Sequence, residues 1–323
     1  MYQALKRYQQ LFTGLCIGVV LLSFGFLVTK YFQKAYCPFT LINPTRCEPG
    51  TAFVNPEYDA LRQELNGYIA QQRSAGLEKA GVYFRDLRNG PTFSINAKDT
   101  YIGASILKMP VLLEYLKEAE TQPEIFDVEL VAEIVPTTTN QGLPVNQTVE
   151  GGKKYTVRTL LERMIKYSDN NSRAALVKFY QSRHPEGRII LDTLENIGIS
   201  QLKTDDQGTY ISVEATASIF RILYNAAYVE PEQSQLALTW LTASAYDDGI
   251  AKLIPQDIPV ANKYGIYNTA QVKELHDCGI IFYPNHPYVL CVMTKGRSIE
   301  NLQNTIVHIS KVVYEELASR FPR

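Results

Sequence analysis

Hydrophobic and polar positions along this chain fall into three regimes. The first is Leu11 to Thr29, LFTGLCIGVVLLSFGFLVT, an apolar run of 19 residues without a charge. As a helix rising about 1.5 Å per residue it is roughly 28 Å long, close to one hydrocarbon thickness. It predicts a single transmembrane helix at 11–29, a short cytoplasmic segment at 1–10 and a linker at 30–54. Lys6, Arg7 and the α-amine precede the run and Lys30 and Lys34 follow it. The charge bias is therefore slight, and the amine tips the orientation to N-terminus inside. No small-x-small cleavage site follows, which favours an anchor over a removed signal peptide.

The second regime has helical period. Tyr58, Leu61, Leu65, Tyr68 and Ile69 predict a helix over about 57–75. A hairpin follows: Gly81 to Phe84, a turn at Arg88-Asn89-Gly90, and Thr92 to Ile95. Leu107, Val111, Leu112 and Tyr115 give the apolar face of a helix from about Ser105 to Glu120. Helical patterns recur at 157–166, 173–181, 214–228 and 232–244. From about 258 the third regime sets in, with period near two: 260–264, 278–283 and 288–294, with a turn at 284–287. A long helix, 299–320, closes the chain. Strands at both ends with helices between predict an α+β domain over 55–323. In it, one antiparallel sheet is assembled from both termini, flanked by helices, with an all-helical lobe inserted at about 105–250.

Composition narrows the function. Of 323 residues, 46% are apolar and 20% charged, and 32 Lys and Arg balance 33 Asp and Glu. No basic excess points to nucleic acid. The four His residues, 184, 276, 286 and 308, show no metal-ligand spacing. There is no P-loop, no dinucleotide fingerprint and no G-x-S-x-G elbow. The expectation is an enzyme with no metal and no cofactor, outside the Ser-His-Asp class. Cys37 and Cys47 bracket a short segment that fits either a disulfide loop of an exported protein or two free thiols. Cys278 and Cys291, in apolar strand-like runs, read as buried small hydrophobes.

Ser105-Ile106-Leu107-Lys108 carries the candidate chemistry. A Ser three residues before a Lys on a helix shares a face with it. The amine can then take the hydroxyl proton, provided burial or neighbouring charge depresses its pKa. Gly103-Ala104 lets the chain turn sharply into the helix, whose N-terminal amides suit a developing oxyanion. Ser200-Gln201-Leu202-Lys203 repeats the spacing, but Asp205, Asp206 and Gly208 follow it and no helix continues. Ser168-Asp169-Asn170 lies between two helices, where Asp169 caps the second. Here Ser168 can relay a proton and Asn170 can grip an amide. Lys263-Tyr264-Gly265 lies on a strand, where Lys can attract a carboxylate and Gly permits close backbone approach.

S-x-x-K, then S-D-N, then K-x-G, in that order, resembles the class A β-lactamase family of penicillin-recognising serine hydrolases, over about residues 55–320. The resemblance implies Ser105 as nucleophile, Lys108 as its acylation partner and Ser168 as proton relay. It implies Asn170, Lys263 and Gly265 in substrate binding, and an oxyanion hole from the Ser105 N–H and an N–H just beyond Gly265. The implied partner is a β-lactam or a D-Ala-D-Ala-like peptide, met by an extracytoplasmic catalytic domain held on the cytoplasmic membrane by a single pass. Two departures matter. Tyr264 stands where the family has Thr or Ser. The family's acidic loop, whose Glu activates the deacylating water, has no counterpart in GISQLKTDDQGTYISV at 198–213. Asp205 and Asp206, its only acids, read as a solvated turn, and Glu214 as a partner of a helix dipole. Three readings stay open: a β-lactamase working through an acyl-enzyme, a D,D-carboxypeptidase or endopeptidase of peptidoglycan inhibited by β-lactams, and a catalytically idle wall-binding or β-lactam-sensing domain.

Overall fold

The computed structural model describes residues 58–323 apart from 89, 91, 136–148 and 201. The predicted segments 1–10, 11–29 and 30–54, with Cys37 and Cys47, lie outside the described residues. Among the described residues no helix is long and apolar enough to cross a membrane.

The chain begins with α1 (Asp59–Gln72), which buries Leu61, Leu65 and Ile69, positions four apart on one face. Strands β1 (Leu77–Asp86) and β2 (Thr92–Ile95) form the expected hairpin. Then come β3 (Thr100–Ile102), a tight 3₁₀ turn (Ala104–Leu107) and α2 (Lys108–Ala119). The helical lobe continues through the short strands β4 (Glu129–Val131) and β5 (Lys154–Thr156), then α3 (Val157–Lys166), α4 (Asn170–Arg183) and α5 (Ile189–Asn196). A small hairpin, β6 (Thr204–Asp205) and β7 (Gly208–Ser212), leads into α6 (Val213–Tyr224) and α7 (Pro231–Thr242). The last strands are β8 (Val260–Asn268), β9 (Lys273–Ile281) and β10 (Tyr288–Gly296), and α8 (Ile299–Arg320) follows them.

The main sheet has the order β2-β1-β10-β9-β8. All its pairings are antiparallel, and β1 lies against β10 in the middle, so N- and C-terminal segments build one sheet as predicted. Central strand β10 is buried along nearly its whole length, in keeping with its apolar run from Tyr288 to Met293. Two apolar cores flank the sheet. One packs α1 and α8 against one face, through Leu65, Phe84, Leu290 and Ile306 among others. The other joins the sheet's opposite face to the lobe around Leu112, Leu160 and Phe220.

Three details differ from the sequence expectation. The inserted lobe is not all-helical: it carries two short antiparallel strand pairs, β4–β5 and β6–β7, where the polar stretches read as plain connections. Cys278 and Cys291 are buried, but they are joined in a disulfide, because the β9–β10 register sets them directly opposite. Ser105 sits in the 3₁₀ turn rather than in the first turn of a regular α-helix. Ala104 has φ 46°, a left-handed conformation that breaks the α-helical path, and Ile106 N donates to Gly103 O at 3.0 Å to close the turn.

Candidate active site

The turn holding Ser105 is fixed from three sides. Ahead of it, β3 pairs with β7, and Gly103 N donates to Thr209 O at 2.9 Å. Beneath it, Ile102 is clamped at both backbone groups. Its N–H donates to the buried Glu274 carboxylate at 2.9 Å, and its carbonyl lies 3.1 Å from His276 Nε2. Beside it runs β8, the edge strand of the sheet. A Cβ on Gly265 would stand 3.1 Å from Ile106 Cγ1 and 3.2 Å from Gly103 O. The missing side chain at Gly265 therefore makes room for the Ser105 turn itself.

Four oxygens lie within hydrogen-bond distance of Lys108 Nζ: Ser105 Oγ at 3.0 Å, Ser168 Oγ at 3.0 Å, Ser168 O at 2.5 Å and Asn170 Oδ1 at 2.8 Å. Lys108 is 1% exposed. Burial pushes its amine well below the ordinary lysine value, the charges of Lys263 and Arg173 push the same way, and Asp169 opposes them. A lysine shifted in that direction can accept the Ser105 hydroxyl proton.

Ser168 stands between two lysines, since Lys263 Nζ donates to its Oγ at 2.9 Å. Its φ is 55°, a second left-handed non-glycine residue at this cluster. The conformation is held from behind: Asp169 caps α4 by accepting from Ser172 N at 2.7 Å, and accepts from Val149 N at 3.2 Å. Lys263 is wholly buried, and burial pushes its amine down to about 7, with Asp277 acting in the opposite sense. Burial in turn pushes the Asp277 carboxyl up to about 7, against the pull of the Ile250 N–H, the Asn262 amide and Lys263. Gly249 has to be glycine here, because a Cβ would fall 2.1 Å from Asp277 Oδ2. Tyr264 is buried, stacks on Tyr246 with ring centroids 4.3 Å apart, and places its ring 4.5 Å from Lys263 Nζ. Burial pushes its phenol up, and the Ser168 hydroxyl acts against that shift.

Ser105, Lys108 and Asn170 line a cleft of about 360 Å³ whose other contributors include Arg173, Ile190, Gln207, Thr209, Ile266 and Tyr267. No Asp or Glu is among the described residues lining it. Asp205 lies on the exposed β6–β7 hairpin in an ion pair with Lys203 at 3.0 Å, which also accounts for the second S-x-x-K copy as a surface segment. Glu214 is exposed in the first turn of α6. Among the described residues no group of three His, Cys, Asp or Glu is placed to hold a metal ion.

Five of the six sequence-selected residues, Ser105, Lys108, Ser168, Asn170 and Lys263, form one hydrogen-bonded chain, and Gly265 abuts it. Sequence reasoning missed Arg173, Glu274, His276 and Asp277. The last three carried no signal, since 273–277, KELHD, reads as a polar stretch ahead of the apolar run from 278, and only the pairing of β9 with β8 and β10 buries it. Arg173 carried none, since one basic residue on an amphipathic helix reads as a solvated face.

The sequence matches the family model described as "Beta-lactamase enzyme family" over residues 60–317. A search of curated proteins finds no match. Among solved structures, the chain is similar to a β-lactamase from Chitinophaga pinensis, with TM-score 0.69 and 18% identity, over 80% of this chain and 99% of that one. It is similar to PBP-A, with TM-score 0.70 and 18% identity, over 83% and 100% of the two chains. A PBP-A variant solved as an acyl-enzyme with penicillin G gives TM-score 0.68 and 19% identity, over 82% and 100%.

Proposed function

From a chain that belongs to the beta-lactamase enzyme family, we propose a serine hydrolase that β-lactams acylate at Ser105. The observation that carries this reading is the Lys108 amine, buried and depressed, within hydrogen-bond distance of Ser105, Ser168 and Asn170 at once. In the proposed step, Ser105 Oγ attacks the lactam carbonyl carbon while its proton passes to neutral Lys108 Nζ. The C–O bond forms, the lactam C–N bond breaks, and the leaving nitrogen receives a proton through Ser168 Oγ. Lys263 attracts the substrate carboxylate, and the Asn170 –NH₂, whose oxygen partner is Lys108, donates to the acyl amide. The backbone N–H groups of Ser105 and of a residue just beyond Gly265 form the oxyanion hole.

Hydrolysis of the acyl-enzyme needs a base over a water, and the lack of an Asp or Glu among the described residues lining the cleft favours the second reading over rapid turnover of β-lactams. On that reading the protein is a D,D-peptidase of peptidoglycan peptides that β-lactams trap. The anchor at 11–29 completes the proposal, holding the domain on the outer face of the cytoplasmic membrane, which protease accessibility in intact cells would test. The deciding measurement is intact-mass spectrometry of the full-length protein in detergent with benzylpenicillin over time. A mass gain lost within minutes supports a β-lactamase. A gain that persists for hours supports a trapped peptidase or a sensor. No gain rejects acylation at Ser105.

A further inference from the structure

Arg173 sits on α4, three residues beyond Asn170 and so beside it on the same face. It lines the cleft together with Ser105 and Lys108, and it is half-buried. Its guanidinium has no hydrogen bond or ion pair among the described residues. That is an unusual state for an arginine removed from bulk water, since desolvated charges are ordinarily paired. The other basic residues of the site are accounted for: Lys108 is bound to Ser105, Ser168 and Asn170, and Lys263 to Ser168. Among the described residues Arg173 is the one of the three without a hydrogen-bond partner, and its planar fork lines the cleft, with Ile190 of α5 and Gln207 and Thr209 of the β6–β7 hairpin as neighbours. That geometry suits bidentate capture of a carboxylate.

Asn170 gives the direction. If its amide receives the acyl amide of the substrate, the next turn of α4 meets what lies further out on the acyl side, away from the carboxylate that Lys263 attracts. We propose that Arg173 anchors a second carboxylate, carried on the acyl side of the substrate, so that the cleft selects acyl donors bearing two anionic groups. This rests on the acyl-enzyme reading above and adds a specificity to it. An acyl-side carboxylate is the chemistry of a peptide that carries a free carboxylate on the side chain of the residue before the scissile bond or on a residue further back.

Benzylpenicillin and carbenicillin test this directly, because carbenicillin differs only by a carboxylate on the acyl side chain. Second-order acylation rates of the full-length protein are read by intact mass for both compounds, in the wild type and in Arg173→Ala and Arg173→Lys. The wild type should favour carbenicillin by about tenfold or more, the low end for a hydrogen bond to a charged group. The ratio should collapse to about one in Arg173→Ala and stay intermediate in Arg173→Lys, which keeps the charge and loses the fork. A wild type without the preference, or a ratio unchanged in Arg173→Ala with its melting temperature intact, would overturn the anchor while leaving acylation standing. Absence of an adduct with either compound would overturn the acyl-enzyme reading and the anchor with it.

Discussion

Gly265→Ala is the perturbation that isolates how the Ser105 turn is held. The new Cβ would meet Ile106 Cγ1 at 3.1 Å, Gly103 O at 3.2 Å and Ile106 N at 3.4 Å, where unstrained Cβ contacts begin near 3.4 Å. Two of the three atoms are backbone, and the third belongs to a fully buried side chain with little room to swing. The turn and β8 must therefore separate by a few tenths of an ångström. Overpacking of this size costs about 1–3 kcal/mol, and a domain this large loses about 2–4 °C of melting temperature per kcal/mol. The larger effect falls on chemistry. Gly103 O accepts from Ile106 N to close the turn around Ser105, whose Oγ lies 3.0 Å from Lys108 Nζ. Since a 1 Å misplacement costs on the order of 10²-fold in rate, a shift of a few tenths should slow acylation by roughly tenfold. Labelling rate with a fluorescent penicillin and melting temperature are measured together. Gly67→Ala serves as the control: it lies mid-helix on the exposed face of α1 with nothing within 4 Å of the added methyl. It should raise the melting temperature and leave labelling alone. If Gly265→Ala labels within about twofold of wild type at an unchanged melting temperature, the close approach of β8 to the Ser105 turn is wrong.

Ser105→Ala should abolish covalent labelling by a fluorescent penicillin, and labelling that persists would move the nucleophile elsewhere. The acylation rate should rise with pH as Lys108 loses its proton, with a midpoint well below the ordinary lysine value of 10.5 because burial and two neighbouring cations depress it. A midpoint near 10.5 in the pH–rate profile would remove Lys108 as the base. Asp277→Asn should change the pH dependence of stability. The folded carboxyl titrates at about 7 and the unfolded one near 3.8, so between those values the folded state holds a proton that the unfolded state has released, and stability falls as pH rises through that window. The Asn variant lacks that slope, so its melting temperature relative to wild type should be higher at pH 7 than at pH 4, and an equal offset at both would contradict the shift.

Where local pattern and tertiary packing agree, the sequence was readable. Helix α8 was expected at 299–320 and is found there, because Leu302, Ile306, Ile309, Val313 and Leu317 keep one stripe that the sheet buries, and Ser298 caps it. Helix α3 begins as expected, where Thr156 caps its N-terminus by accepting from Thr159 N. The turn at Ser105 was not readable, because a positive φ at an alanine is imposed by neighbours distant in sequence, Thr209, Glu274 and His276. The β6–β7 hairpin looked like a polar connection. What makes it a strand pair is Gly208 at φ 140° and the pairing of β7 with β3, neither visible in a run such as TDDQG. At the site, Ser105, Lys108, Ser168, Asn170 and Lys263 could be named because type and order together are rare. The buried carboxylates behind them emerge only when β9 is laid beside β8.

The lack of an Asp or Glu among the described residues lining the cleft and the depressed lysine follow from one electrostatic choice. A carboxylate poised over the acyl carbonyl would stabilise the protonated form of Lys108 and so weaken it as the base for acylation. Here the group that reaches into the cleft beyond Asn170 is Arg173, of the opposite sign, and it depresses Lys108 further. On the proposed reading such a site favours proton removal from Ser105, and among the described lining residues it offers no carboxylate to activate a water afterwards. In a β-lactam acyl-enzyme the leaving nitrogen stays tethered to the acyl group, so slow water attack leaves the adduct in place. A peptide substrate releases its leaving amine, and the cleft it vacates can admit water or another amine without competition from the tether. On the proposed acyl-enzyme reading, the charges that would activate Ser105 would therefore also separate the two substrate classes by their lifetimes as acyl-enzymes.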